Sequence, residues 1–171
     1  MSIAQKLYEL GKITYMRTDS MNLSDDAIKS AGKFIESNYG SEYFKTRKFA
    51  TKSKGAQEAH EAIRPTDLAH TKVEGERNHQ RLYELIWKRT IATQLAEAEL
   101  EFTNVTITAI NNGTSADFRS SGKKILFPGF FRAYVEGSDD TESALENQEK
   151  FLPALANGDT TCLLYTSDAA D

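Results

Sequence analysis

One cysteine among 171 residues cannot close an intramolecular disulfide, and together with three histidines it offers no metal-site spacing. A disulfide-stapled scaffold is excluded, and a reducing, cytoplasmic location is expected. Three prolines and ten glycines exclude collagen-like and proline-rich chains. No apolar run approaches the roughly 20 residues that span a bilayer, and Gln5, Lys6 and Glu9 interrupt any secretory pattern at the start. No membrane partner is expected. What is present is an ordinary soluble composition, 39% hydrophobic and 27% charged, in a chain long enough to bury a core. The formal net charge of −4 hides a split along the chain. Residues 1–98 carry 16 Lys and Arg against 13 Asp and Glu, whereas residues 99–171 carry 5 against 12. Nucleic-acid contacts are therefore expected on the first part, with the acidic second part facing away.

Local signals divide the chain at the same place. Ser2 and Ser24 are N-cap residues, each opening a stretch with apolar spacing near 3.6, and Gly11 and Gly40 stop those stretches. Asp25 and Asp26 favour the positive end of the second helix. Gln57–Ile63 reads as a short helix halted before Pro65. Residues 78–96 form the clearest helix, with Leu82, Leu85, Ile86, Trp87, Ile91 and Leu95 as its apolar stripe. Lys12–Arg17 reads as a short extended piece. Beyond Glu97 the period changes to two: Val105–Ile110 reads as a strand and Asn111-Asn112-Gly113 as a hairpin turn. Asp117–Ser120 and Lys124–Phe127 follow as two short strands around Gly122, and Phe130–Val135 as another. The expected class is α+β, a helical module over 1–98 followed by an antiparallel β segment over 99–161. The last ten residues, 162–171, resemble the translation of a sequencing adapter and are set aside as a scar.

Chemistry concentrates in two strings. In Ile13-Thr14-Tyr15-Met16-Arg17-Thr18-Asp19-Ser20, an extended backbone would point Tyr15 and Arg17 the same way. A tyrosine hydroxyl ordinarily titrates near 10 and is a poor nucleophile. A guanidinium beside it would favour the phenolate and grip a phosphate bidentately. Tyrosine and arginine together suit covalent attack on a phosphodiester. A packed aromatic beside a surface charge has the same spacing. In Gln57–Pro65, a helix would set His60 and Arg64 on one face, where histidine can donate to phosphate or relay a proton. Lys45, Arg47, Lys48, Lys52 and Lys54 fall within ten residues that contain no acid, with Phe49 among them. Such a stretch either tracks a phosphate backbone or is a solvated loop.

The string Gly11–Ser20 resembles the active-site motif of the type IA DNA topoisomerases, and of their bacterial topoisomerase I branch in particular. Gln57–Pro65 is similar to that family's second hallmark at the expected separation, and Tyr83–Trp87 to a third stretch. Leu126–Phe130 and Leu152–Leu155 match more loosely. Relatives of the topoisomerase III type more often have proline where Met16 stands. The resemblance runs through most of the chain. It implies that Tyr15 is the nucleophile, that Arg17 positions the phosphate, that His60 lies by the scissile phosphate, and that Arg64 belongs to the DNA-binding set. It also implies an ATP-independent isomerase that joins Tyr15 to a 5′ phosphate, passes a strand and reseals. The expected partner is single-stranded DNA within negatively supercoiled DNA, handled by a monomer.

The resemblance also implies parts that are missing here. The family carries a metal-binding domain with an Asp-x-Asp pair ahead of the tyrosine, but only fourteen residues precede Tyr15, and no Asp-x-Asp occurs in the chain. The chain is therefore expected to be an internal fragment, inactive by itself, whose Mg2+ is bound by a domain that it lacks. The β segment is expected to be the start of the strand gate. A competing reading from another class is a non-catalytic DNA-binding module in which Tyr15 only packs. Tyrosine recombinases need a larger Arg/His constellation, and rolling-circle nickases need a His-x-His pair that is absent.

Overall fold

The computed structural model describes residues 2–49, 60–138, 143–145 and 149–161. The expected adapter scar at 162–171, residues 57–59 of the expected helix at 57–63, and Lys52 and Lys54 lie outside the described residues. Three helices precede a long hairpin: α1 (Ile3–Glu9), α2 (Asp25–Asn38), α3 (Arg77–Gln94), β1 (Glu99–Asn111) and β2 (Thr114–Phe127).

The helix ends follow their capping residues. The Ser2 side chain accepts from the Gln5 N–H, and the Ser24 side chain accepts from the Ala27 N–H. At the other end of α1, Gly11 adopts φ +66°, and Lys12 N donates to the Leu7 carbonyl at 2.9 Å. One core joins all three helices. Leu7, Ile13, Ala31, Ile35, Tyr83, Ile91 and Leu95 are almost fully buried within it.

The buried face of α3 is narrower than its apolar stripe suggested. It comprises Tyr83, Trp87, Thr90, Ile91 and Gln94, while Leu85 is exposed. Polar tips on this face anchor the loop before the helix: Tyr83 Oη donates to the His70 carbonyl at 2.6 Å, and Trp87 Nε1 to the Leu68 carbonyl at 3.0 Å. Gln94 is completely buried and extends a backbone ladder with its side chain. Lys45 N donates to the Gln94 carbonyl, Arg47 N to Gln94 Oε1, and Gln94 Nε2 to the Arg47 carbonyl. The amide thus satisfies both backbone groups of Arg47.

From Glu99 to Phe127 the chain is an antiparallel two-stranded ribbon. Its two-residue turn, Asn112-Gly113, has φ values of +47° and +81°, the signs of a type I′ turn, matching the Asn-Gly signal. Two expectations fail here. Gly122 does not separate two strands: β2 runs through it. A Cβ at Gly122 would lie 2.9 Å from both Leu152 Cγ and the Lys150 carbonyl oxygen, so this glycine allows a third segment to approach. That segment bridges Lys123 through Lys150. Phe130–Val135 is not a strand but begins within a 3-10 helix, Gly129–Arg132, because Gly129 turns the chain at φ +50° against the Glu97 backbone. Phe127, Phe130 and Ala133 then return to the helical core, and Phe127 stacks on Tyr43 at 4.7 Å. The molecule is α+β, with the base of the ribbon sharing the helices' core.

Candidate active site

The end of α1 directs the chain inward. After Gly11, Ile13 is buried and forms an isolated antiparallel bridge with Pro65. Thr14 N donates to the Arg64 carbonyl at 2.9 Å, and Thr66 N donates to the Lys12 carbonyl at 3.0 Å. The Thr14 hydroxyl donates to the Ala62 carbonyl at 2.7 Å and accepts from the Arg64 N–H at 2.9 Å. These bonds hold two strings together that lie about fifty residues apart in sequence. They also explain two departures from expectation. Residues 12–17 are bent after one bridge instead of extended, and residues 60–63 are non-helical. In each string, backbone groups are paired with the other string, which leaves neither a regular strand nor a helical turn.

Tyr15 emerges from this junction between two rings. The His60 ring lies 5.3 Å from it, centroid to centroid, tilted by 37°. Tyr8, on the last turn of α1, meets it edge-on at 5.4 Å and 69°. Tyr15 remains 36% exposed and is not sealed in the core. The structure thus brings Tyr15 and His60 together, but through a loop and not through a helix face.

Arg17 is exposed and makes no hydrogen bond or ion pair with a described residue. The chain bends at Met16 and Arg17, so the extended backbone from which a shared face with Tyr15 was expected is not formed. Its guanidinium is free for an anion arriving from solvent. Arg64 is committed internally. Its Nε and Nη2 donate to the two carboxylate oxygens of Glu61, both at 2.9 Å, and its Nη1 donates to the Pro65 carbonyl at 2.8 Å.

The described part of the basic stretch, Lys45, Arg47 and Lys48, is likewise compensated. Lys45 Nζ lies 2.6 Å from Glu97, and Arg47 Nη2 lies 3.0 Å from the same carboxylate without forming a directed hydrogen bond. Lys48 Nζ lies 2.7 Å from Asp25 at the start of α2. The hydrogen bond from Lys45 is the main cause holding the Glu97 carboxyl below its ordinary value, and that from Lys48 does the same for Asp25. Most of these groups are well exposed, so the pairs are weak and open to exchange with phosphate.

Three contributors were not legible as site residues. Tyr8 shows only helix periodicity. Thr14 sits inside the motif but gains its role from Ala62 and Arg64. Glu61, three residues before Arg64, carried an ion-pair signal that could have identified it. Burial pushes the Glu61 carboxyl up, but hydrogen bonds from Arg64 and Ser24, with the Arg64 charge, outweigh this and hold it below 4.5.

A family model for DNA topoisomerase matches residues 1–168 of this chain. The chain belongs to the DNA topoisomerase family. Among its topoisomerase relatives, the DNA topoisomerase 1 of Synechococcus elongatus is 54% identical over 170 residues, covering 95% of this chain and 19% of that protein. The Synechocystis DNA topoisomerase 1 is 52% identical over 164 residues, covering 93% of this chain and 18% of that protein. A solved structure of full-length topoisomerase I from Thermotoga maritima superposes with a TM-score of 0.63 at 33% identity, covering 77% of this chain and 22% of that one. The chain therefore spans about a fifth of the length of these topoisomerases. No helix among the described residues is long and apolar enough to cross a membrane.

Proposed function

We propose that this chain is the tyrosine-bearing segment of a type IA, ATP-independent DNA topoisomerase that acts on single-stranded stretches of negatively supercoiled DNA. The observation that carries this reading is the partly exposed Tyr15, flanked by the His60 ring, in a chain of the topoisomerase family. The Tyr15 oxygen attacks the phosphorus of one strand. A bond forms between that oxygen and the 5′ phosphate, the 3′ oxygen leaves and takes up a proton, and the phenol proton passes to His60 or to water. Arg17, unpaired among the described residues, meets the phosphate and compensates its charge. After strand passage, the 3′ hydroxyl attacks back and releases Tyr15. The bond energy is conserved in the ester, so ATP is not consumed. The acting protein is a cytoplasmic monomer.

Mg2+ belongs to this reading only through parts outside the chain. Among the described residues, no group of three or more His, Cys, Asp or Glu side chains could hold a metal ion, so those residues do not fit it. No step above runs through Mg2+.

The test is Tyr15→Phe in the full-length protein. Plasmid relaxation and oligonucleotide cleavage are lost, while single-stranded DNA binding is kept. A variant that still cleaves means that Tyr15 is not the nucleophile, and it leaves this segment as a part that binds DNA while Tyr15 only packs. The isolated 171-residue chain is expected not to relax plasmid DNA in the same assay with Mg2+.

A further inference from the structure

We propose that Glu61 is a positioning residue of the cleavage site, and that Arg64 is its brace and not a phosphate contact. The proposal rests on Tyr15 being the nucleophile and His60 its neighbour.

The segment that carries His60 is tied down in order along the chain. Thr66 is fixed to Lys12 and Gly11, Arg64 to Thr14, and Ala62 to Thr14 and Asn22. His60 lies beyond the last of these backbone ties. Among the described residues, the hydrogen-bonded anchor between Ala62 and His60 is the Glu61 carboxylate, whose two oxygens receive three donors. Arg64 supplies two, and the backbone N–H of Ser24 supplies the third at 2.6 Å. Ser24 is the N-cap of the fourteen-residue helix α2, where a negative group is favoured. One side chain thus joins the His60 segment to an independent rigid element. A planar carboxylate matched by a guanidinium fork resists rotation more than a single hydrogen bond does.

This geometry accounts for Arg64. Both faces of its charge are engaged, by Glu61 and by the Pro65 carbonyl, and its side chain is only 18% exposed. For Arg64 to turn its fork to a phosphate, it would have to give up its paired hydrogen bonds to Glu61 and leave that carboxylate with the Ser24 N–H alone.

The experiment measures single-turnover cleavage of a single-stranded oligonucleotide by the full-length protein. Glu61→Gln is expected to slow cleavage by about tenfold or more, as misplacement of a catalytic group does, with oligonucleotide affinity little changed. Placed in a His60→Ala background, the same substitution should cost less than about twofold, because its effect is transmitted through His60. Arg64→Gln should reproduce both results, and Glu61→Asp should fall between Glu61→Gln and the parent protein. Equal slowing in both backgrounds, or no slowing in either, overturns the proposal. So does a loss of oligonucleotide affinity on Arg64→Gln that exceeds the loss of rate. Tyr15→Phe in parallel separates the two levels. If it still cleaves, the reading of Tyr15 fails. If it is dead while Glu61→Gln is unimpaired, only the positioning role fails.

Discussion

The helical part and the ribbon are built on opposite terms. In the helical part, Leu7, Ile13, Ile35, Ile91 and Leu95 are essentially removed from water. Along the ribbon, Phe102 is 63% exposed, Phe118 59% and Ile110 76%, and β-sheet pairing with one neighbour supplies most of the order. A two-stranded ribbon is marginal by itself; among the described residues, this one is secured at its base through Phe127 and, around Gly122, by the segment that pairs Lys150 with Lys123 and bonds Glu149 to the Ile125 N–H. The site lies wholly on the packed side. The segments carrying Tyr15 and His60 are tied by hydrogen bonds that cross about fifty positions, and Tyr8 meets Tyr15 from α1.

The largest effect that would sharpen this contrast comes from truncating one isoleucine on each side. Ile91→Ala should lower unfolding free energy by about 2–5 kcal/mol, whereas Ile110→Ala should cost no more than about 0.5 kcal/mol. Urea denaturation measures both, and similar losses would erase the distinction. A smaller effect is expected at Gln94. Gln94→Leu preserves the volume but orphans both backbone groups of Arg47, which should cost about 1–3 kcal/mol and release the basic stretch from α3. Denaturant unfolding together with faster amide exchange at Arg47 would report it.

The smallest effect is electrostatic. Because the folded-state carboxyl of Glu61 titrates below its ordinary 4.5, its contribution to stability is complete above that pH and is lost as the pH falls through the folded value. Thermal melts from pH 6 down to pH 3 should therefore show the parent protein losing more stability than Glu61→Gln. Identical slopes would mean that the carboxylate is not held as described.

What could be read from sequence followed the range of the interactions. The ends of α1 and α2, capped by Ser2 and Ser24 and closed by Gly11 and Gly40, are local signals and appear where expected. The Asn112-Gly113 turn is equally local. The failures share one cause. Residues 12–17 lack extended regularity, and 60–63 lack helix, because Thr14 and Arg64 bond each other across fifty positions. Gly122 looks like a strand break, but its partner is Leu152. The charge of Lys45 is answered by Glu97, fifty-two positions away. Tyr15 and His60 were legible as candidates because residue type and motif named them. Their mutual placement, and the roles of Tyr8 and Glu61, depended on contacts that no local window contains.

The ribbon also has a mechanical consequence. Thirteen residues of β1 at about 3.3 Å each give an arm roughly 40 Å long. It is fastened at one end by aromatic stacking, and Leu152 packs close to Gly122 about a third of the way out. For an arm of that reach, a tilt of about 10° at the fastened end swings the far turn through about 7 Å. Angstrom-scale adjustments beside the packed helices are thereby amplified into displacements wider than the separation of two strands.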